Sequence, residues 1–166
     1  MLVLAGDRIE ARVLLEAGTS PHDFALRPSQ YRMLAEARQV FWLDESMEHP
    51  LATVLERLPP PRRDTALLAA LAPPPRADGS VDPHVWLDPR LASGIATQMA
   101  LVLEQRGLAS RAVLEPRLAA FHEQMQRVER TIAAELRGLE TVPFVAMHDG
   151  YGHFVQRFGL DQAATL

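Results

Sequence analysis

Apolar residues fall along this chain in short blocks separated by proline- and glycine-bearing breaks. Ile9 to Leu15 reads as a strand, with Val13, Leu14 and Leu15 in a row and Gly18 closing it. A Thr-Ser-Pro-His-Asp loop follows, and Ser29 is placed to cap a helix over about 30–38. Val40 to Leu43 is a short, wholly apolar strand of the kind buried in a parallel sheet. Leu51 to Leu58 reads as a short helix.

Two triple-proline runs then interrupt the pattern, Pro59–Pro61 and Pro73–Pro75. Such runs favour extended conformations, so the spacing predicts an exposed loop of low order there, with Thr65 to Leu71 as a weak strand or helical turn. Asp88 followed by Pro89 is a cap with proline at the first helical position, and that helix should run to about Arg106 and stop at Gly107. Ser110 starts a further short turn. Pro116 then opens a long helix to about Arg137, with Leu118, Phe121, Met125, Val128, Ile132 and Leu136 forming one apolar stripe. At ~1.5 Å per residue it spans ~33 Å. Val142 to Met147 is another buried strand, and Tyr151 to Phe158 a helix ended by Gly159. Strand–loop–helix units in series give an α/β fold with parallel pairing.

Composition narrows the chemistry. The 166 residues carry 17 basic and 21 acidic side chains, a net charge of -4 that offers no basic field for nucleic acid. All the basic residues are arginine. A hydrophobic fraction of 48% is enough for a core. There is no cysteine, which removes disulfides, thiolate metal sites and cysteine nucleophiles. No stretch approaches the ~20 apolar residues of a membrane helix. Leu2 to Ala5 is too short and uncharged in its flank to be a signal peptide.

Six histidines remain as candidates: His22, His49, His84, His122, His148 and His153. Three share a setting, each in or beside a loop and next to an aspartate: His22 with Asp23, His84 with Asp82, His148 with Asp149. His148 follows a strand at its carboxyl end, where open α/β sheets place ligands. Neutral imidazole is the commonest metal ligand, three of them suit zinc, and adjacent acids can fix each ring through its other nitrogen. On spacing alone the plainer reading prevails, that these are surface or satisfied loop histidines. His153 is five residues past His148, about 140° around a helix, and so does not share its ligand face. His122 flanks the apolar stripe, and His49 attracts no metal reading.

Three segments add to this: Glu16-Ala-Gly-Thr-Ser-Pro-His-Asp-Phe-Ala-Leu-Arg-Pro-Ser-Gln30, Asp82-Pro-His-Val-Trp-Leu-Asp-Pro89, and His148-Asp-Gly-Tyr-Gly-His-Phe154. In this order they resemble the zinc-specific solute-binding proteins of bacterial ABC importers, the ZnuA type. The resemblance runs from about Ile9 to Leu160. It implies two α/β lobes joined by one long helix: an incomplete N-terminal lobe over 1–112, the connecting helix over 113–140, and the start of a C-terminal lobe over 141–166. It implies Zn2+ held by His22, His84 and His148. Manganese-type relatives carry a carboxylate at the third position, so His148 points to zinc. The partner implied is a membrane ABC permease, and the location implied for an intact member is periplasmic.

The sequence departs from that family in four ways. The first strand and helix, the signal peptide and most of the second lobe are expected to be missing. The histidine-rich loop common in zinc members would fall between Val54 and Asp82, which holds no histidine. His153 stands where the family has an aromatic residue. The leading expectation is reversible zinc binding for uptake without catalysis. The alternatives are a fragment without metal function and a zinc-dependent hydrolase, since three histidines plus water is also a catalytic pattern. An incomplete chain of this kind is expected to self-associate through exposed strands.

Overall fold

A computed structural model describes residues 4, 6, 9–58, 63–76 and 78–166. The chain divides into two compact units, residues 10–72 and residues 1–9 with 73–166.

In the unit of residues 10–72, helix α1 (Pro28–Glu36) leads to strand β1 (Val40–Trp42), helix α2 (His49–Arg57), strand β2 (Asp64–Ala66) and the one-turn helix α3 (Leu68–Leu71). The strands pair in parallel, with Val40 opposite Asp64 and Trp42 opposite Ala66. Leu34 of α1 and Leu51 and Leu55 of α2 form the core, against Val40 and Trp42 of β1 and Leu14, Phe24 and Leu26 of the preceding segment.

Two expectations change here. Ile9 to Leu15 is not a regular strand. Its backbone is claimed by a side chain instead: Gln30 Nε2 donates to the Leu14 carbonyl at 2.5 Å. The same Gln30 accepts the Arg27 N–H at 2.7 Å, so one residue pins the segment and caps the helix. Helix α1 accordingly starts at Pro28 behind Arg27, two residues before the start that a Ser29 cap would give. Proline at the first helical position has its φ already set and no N–H to lose.

In the other unit, the 3₁₀ turn Val85–Leu87 runs into helix α4 (Pro89–Gln105), followed by helix α5 (Arg111–Glu135). Asp88 caps α4 as expected, accepting the Arg90 N–H at 2.8 Å. Ala96, Ala100 and Leu103 are buried along one side of α4, and the small alanines let α5 approach closely. The stripe from Leu118 to Leu136 is half-buried while its flanks are exposed, as an amphipathic helix requires. His122 belongs to this packing, its Nε2 lying 3.2 Å from Thr97 Oγ1 of α4.

Helix α5 begins at Arg111, five residues before the proline expected to open it. Ser110 occupies the cap position, and the expected short turn is the first turn of the long helix. Pro116 therefore sits inside the helix, where it gives up one backbone hydrogen bond.

Strand β3 (Phe144–Ala146), helix α6 (Gly152–Phe158) and strand β4 (Gln162–Thr165) follow, with β3 and β4 parallel. Strand β4 was not expected. It gives β3 a hydrogen-bonded neighbour that the sequence pattern did not supply.

The Pro59–Pro61 run lies outside the described residues. The second proline run is more ordered than expected. Pro73 is buried, and the loop closes through Arg76 N–H to the Ser80 carbonyl at 2.8 Å and Gly79 N–H to the Arg76 carbonyl at 3.0 Å. Asp78 Oδ1 accepts the Ser80 N–H at 2.9 Å. Bonds from the Ser80 hydroxyl and N–H hold the Asp78 carboxyl below the usual carboxylate range. Gly79 takes φ 84°, a left-handed conformation that favours glycine.

Candidate metal centre

His84 lies at the end of the Asp82–Pro83 turn, immediately before the 3₁₀ turn, and is 6% exposed. Asp82, 2% exposed, grips it twice. Its Oδ1 accepts the His84 backbone N–H at 3.0 Å and stands 2.7 Å from the ring Nδ1. An ionised carboxylate only accepts, so Nδ1 carries the hydrogen and the lone pair is left on Nε2. Burial works against the Asp82 charge. The backbone and ring of His84, with the cation of Arg76, outweigh it and hold the Asp82 carboxyl below the usual range.

His148 follows β3 on an exposed loop, and its Nε2 lies 2.9 Å from His84 Nε2. The rings meet edge to face, centroids 4.8 Å apart. Gly150 makes this approach feasible. A Cβ there would stand 2.8 Å from His148 Cδ2 and 2.9 Å from His84 Cδ2. Trp86 flanks the other side of His84, with ring centroids 5.4 Å apart.

His22 and His49 belong to the unit of residues 10–72. His22 is exposed in the irregular segment before α1, in the unit of residues 10–72. His49 is exposed, its Nδ1 3.3 Å from Glu45 Oε1 on the surface.

Two residues near the pair escaped the sequence reading. His153 is 4% exposed on α6, and its Nε2 lies 2.8 Å from the Asp82 carbonyl. A carbonyl only accepts, so this nitrogen bears hydrogen and braces the turn that presents His84. The available signal was its place in the third segment, where a family aromatic would stand. Arg76 reaches both loops, with Nη2 3.3 Å from Asp82 Oδ2 and Nη1 2.8 Å from Asp149 Oδ2. Burial opposes the Arg76 charge, and the two carboxylates more than offset this, raising its pKa. Nothing local in the sequence marks Arg76.

This is a pair of imidazole donors with one ring fixed by a carboxylate, the usual way a protein sets the tautomer and raises the basicity of a metal-binding imidazole. The sequence model of one family, zinc-uptake complex component A, periplasmic (ZnuA), matches residues 3–166. The chain belongs to the ZnuA family. A ZnuA relative in Yersinia pestis, a high-affinity zinc uptake system protein, is 29% identical over 95% of this chain and 58% of its own length. The zinc-binding lipoprotein AdcA of Streptococcus pneumoniae is 23% identical over 97% of this chain and 35% of its own. A crystal structure of ZnuA superposes with a TM-score of 0.85 at 25% identity, covering 98% of this chain and 64% of that one. The periplasmic zinc-binding protein TroA of Treponema pallidum gives 0.86 at 19% identity, a likeness of fold alone. The α/β architecture expected from the sequence is that of these ZnuA-type proteins. The chain spans 58% of the length of the Yersinia relative.

Proposed function

We propose that this chain binds zinc as the solute-binding component of an ABC transporter for high-affinity zinc uptake. Zinc is cargo here, taken up and released without chemical change. One observation carries the reading: the Nε2 atoms of His84 and His148 are 2.9 Å apart, and Asp82 already directs the His84 lone pair toward His148. Two nitrogen ligands of a tetrahedral zinc stand ~3.3 Å apart, given bonds of ~2.0–2.1 Å. A shift of a few tenths of an ångström would turn the pair into two ligands. His22 is the third ligand in this reading, contributed by the Ser20-Pro21-His22-Asp23 segment.

The names of the Yersinia and Streptococcus relatives support the metal and the task. The family description, a periplasmic component of a zinc-uptake complex, supports a periplasmic place for the whole protein and a partner in uptake, in this reading a membrane permease. In that whole protein, residues 1–112 would be one lobe, 113–140 the connector and 141–166 the start of the second lobe.

Metal analysis of the purified chain and a calorimetric zinc titration test the proposal. One zinc per chain is expected, with affinity lost in His84→Ala and retained in His49→Ala. Equal affinity in the two variants, or no zinc bound at all, would overturn it.

A further inference from the structure

We propose that Arg76 is a positioning residue for the histidine pair, fastening the loop of His148 to the turn of His84. The inference rests on the zinc reading for its consequence, but its geometric content can be tested without metal.

The two histidines reach their places from opposite ends of a long stretch of chain. His84 is held firmly by Asp82 through two contacts, and His153 braces the same turn from α6. His148 stands on an exposed loop. Besides the meeting of the two rings, the guanidinium of Arg76 joins that loop to the His84 turn. Arg76 Nη1 donates to Asp149 Oδ2 at 2.8 Å, and Nη2 to the Asp149 carbonyl at 3.3 Å. The same Nη2 lies 3.3 Å from Asp82 Oδ2. That oxygen is buried and has no hydrogen-bond partner among the described residues, and the Arg76 cation beside it offsets its charge.

Arg76 can do this because its own backbone is fixed. The closure to Ser80, with Asp78 tying the turn, sets the direction in which the side chain leaves. A planar guanidinium with several fixed N–H groups can serve two carboxylates at once, which an ammonium does less well. Arg76 thus links Asp82, which sets the tautomer of His84, to Asp149, the residue next to His148.

The test compares Arg76→Gln, Arg76→Lys and Asp149→Asn with the parent chain. In metal-free protein, the nuclear Overhauser contact between the ring protons of His84 and His148 is read together with amide exchange at Gly150. Zinc affinity is measured separately by competition titration. Arg76→Gln is expected to lose the ring contact, speed exchange at Gly150 and weaken zinc binding about tenfold, the scale of losses of supporting contacts around metal ligands. Arg76→Lys should recover part of both, since it keeps the charge but not the fork. Asp149→Asn should weaken the ring contact while leaving Asp82 paired, and it serves as the test should Arg76→Gln fail to fold.

An unchanged ring contact and unchanged exchange in Arg76→Gln, or in Asp149→Asn where only that variant folds, would overturn the inference. A ring contact that depends on Arg76 in a chain that binds no zinc would uphold the positioning and refute the zinc reading. Zinc binding in all variants with equal affinity would do the reverse.

Discussion

Asp88 holds Arg157 in a two-pronged ion pair while capping a helix with the same carboxylate. Arg157 Nε lies 2.9 Å from both oxygens of Asp88, and Nη2 lies 2.7 Å from Oδ2. Asp88 Oδ1 also accepts the Arg90 N–H that starts α4. One buried carboxylate therefore joins the start of α4 to the last helix of the chain.

Removing Arg157 would leave Asp88, 4% exposed, with the cap bond but no counter-charge. Arg157→Ala should destabilise the unit of residues 73–166 by ~1–3 kcal/mol, below the full cost of breaking a buried pair because the arginine keeps some solvent. Arg157→Lys should recover only part, since the fork is lost. Urea unfolding measures both. A loss under ~0.5 kcal/mol in Arg157→Ala would mean that water satisfies Asp88 as well as the guanidinium does.

Gly150 is a second point of control. A methyl group there would lie within 3 Å of both imidazole rings. The rings can escape only by rotating, which separates the two Nε2 atoms. Gly150→Ala should leave the circular dichroism spectrum unchanged and weaken zinc binding at least tenfold. Wild-type affinity in this variant would show that the pair need not be as close as it is in the free protein.

Much of this was legible in the sequence where a local signal existed. Asp88–Pro89 marked the start of α4, Gly159 the end of α6, and the stripe from Leu118 to Leu136 the face of α5. What was not legible depends on partners far along the chain. Gln162-Ala-Ala-Thr165 has little strand propensity, and it is a strand because β3 is there to pair with it. Proline is commonest at a helix start, which points to Pro116, yet Ser110 stands at the cap position six residues earlier. Local spacing relates His153 only to its neighbour His148, whereas its partner is the carbonyl of Asp82, 71 residues back. Arg76 has its partner 73 residues ahead, which no periodicity reveals.

Glu48 gives a pH dependence outside the metal centre. Burial pushes its carboxyl above the usual glutamate value, against the pull of hydrogen bonds from the Leu43 and Asp44 backbone. A raised acid binds its proton more tightly in the folded state. Its contribution to stability is therefore full below the unfolded value, ~4.3, and is lost as pH rises through the higher folded value. Glu48→Gln keeps an acceptor for the Leu43 N–H, which now donates to Oε2 at 2.8 Å. At pH 7.5 the variant should match or exceed the parent in urea midpoint, and the advantage should shrink toward pH 4.5. A variant less stable at pH 7.5 and relatively better at low pH would reverse the sign.

Protons compete with zinc for imidazole nitrogen, so the affinity of the chain for zinc should fall steeply as pH is lowered from about 7.5 to about 5.5. A calorimetric series across that range checks it. A flat profile would show that carboxylates rather than histidines hold the metal.

The last expectation concerns β3. It pairs with β4 on one side, and no further strand is hydrogen-bonded to it among the described residues. Val145 on the strand is 53% exposed, and Val142 and Met147 beside it are 52% and 79% exposed. An unpaired edge carrying exposed apolar side chains is a template for another strand, and clustered apolar surface is costly in water. The 166-residue chain should therefore associate with a second copy along this edge as its concentration rises. Light scattering over a hundredfold concentration range would show mass increasing toward a dimer. Val145→Lys, which puts a charge on the exposed face without touching the β3–β4 hydrogen bonds, should shift that transition to at least tenfold higher concentration. Monomeric mass throughout the range, with amides of β3 well protected from exchange, would mean that the edge is closed by the chain itself, and the variant would then have no effect on mass.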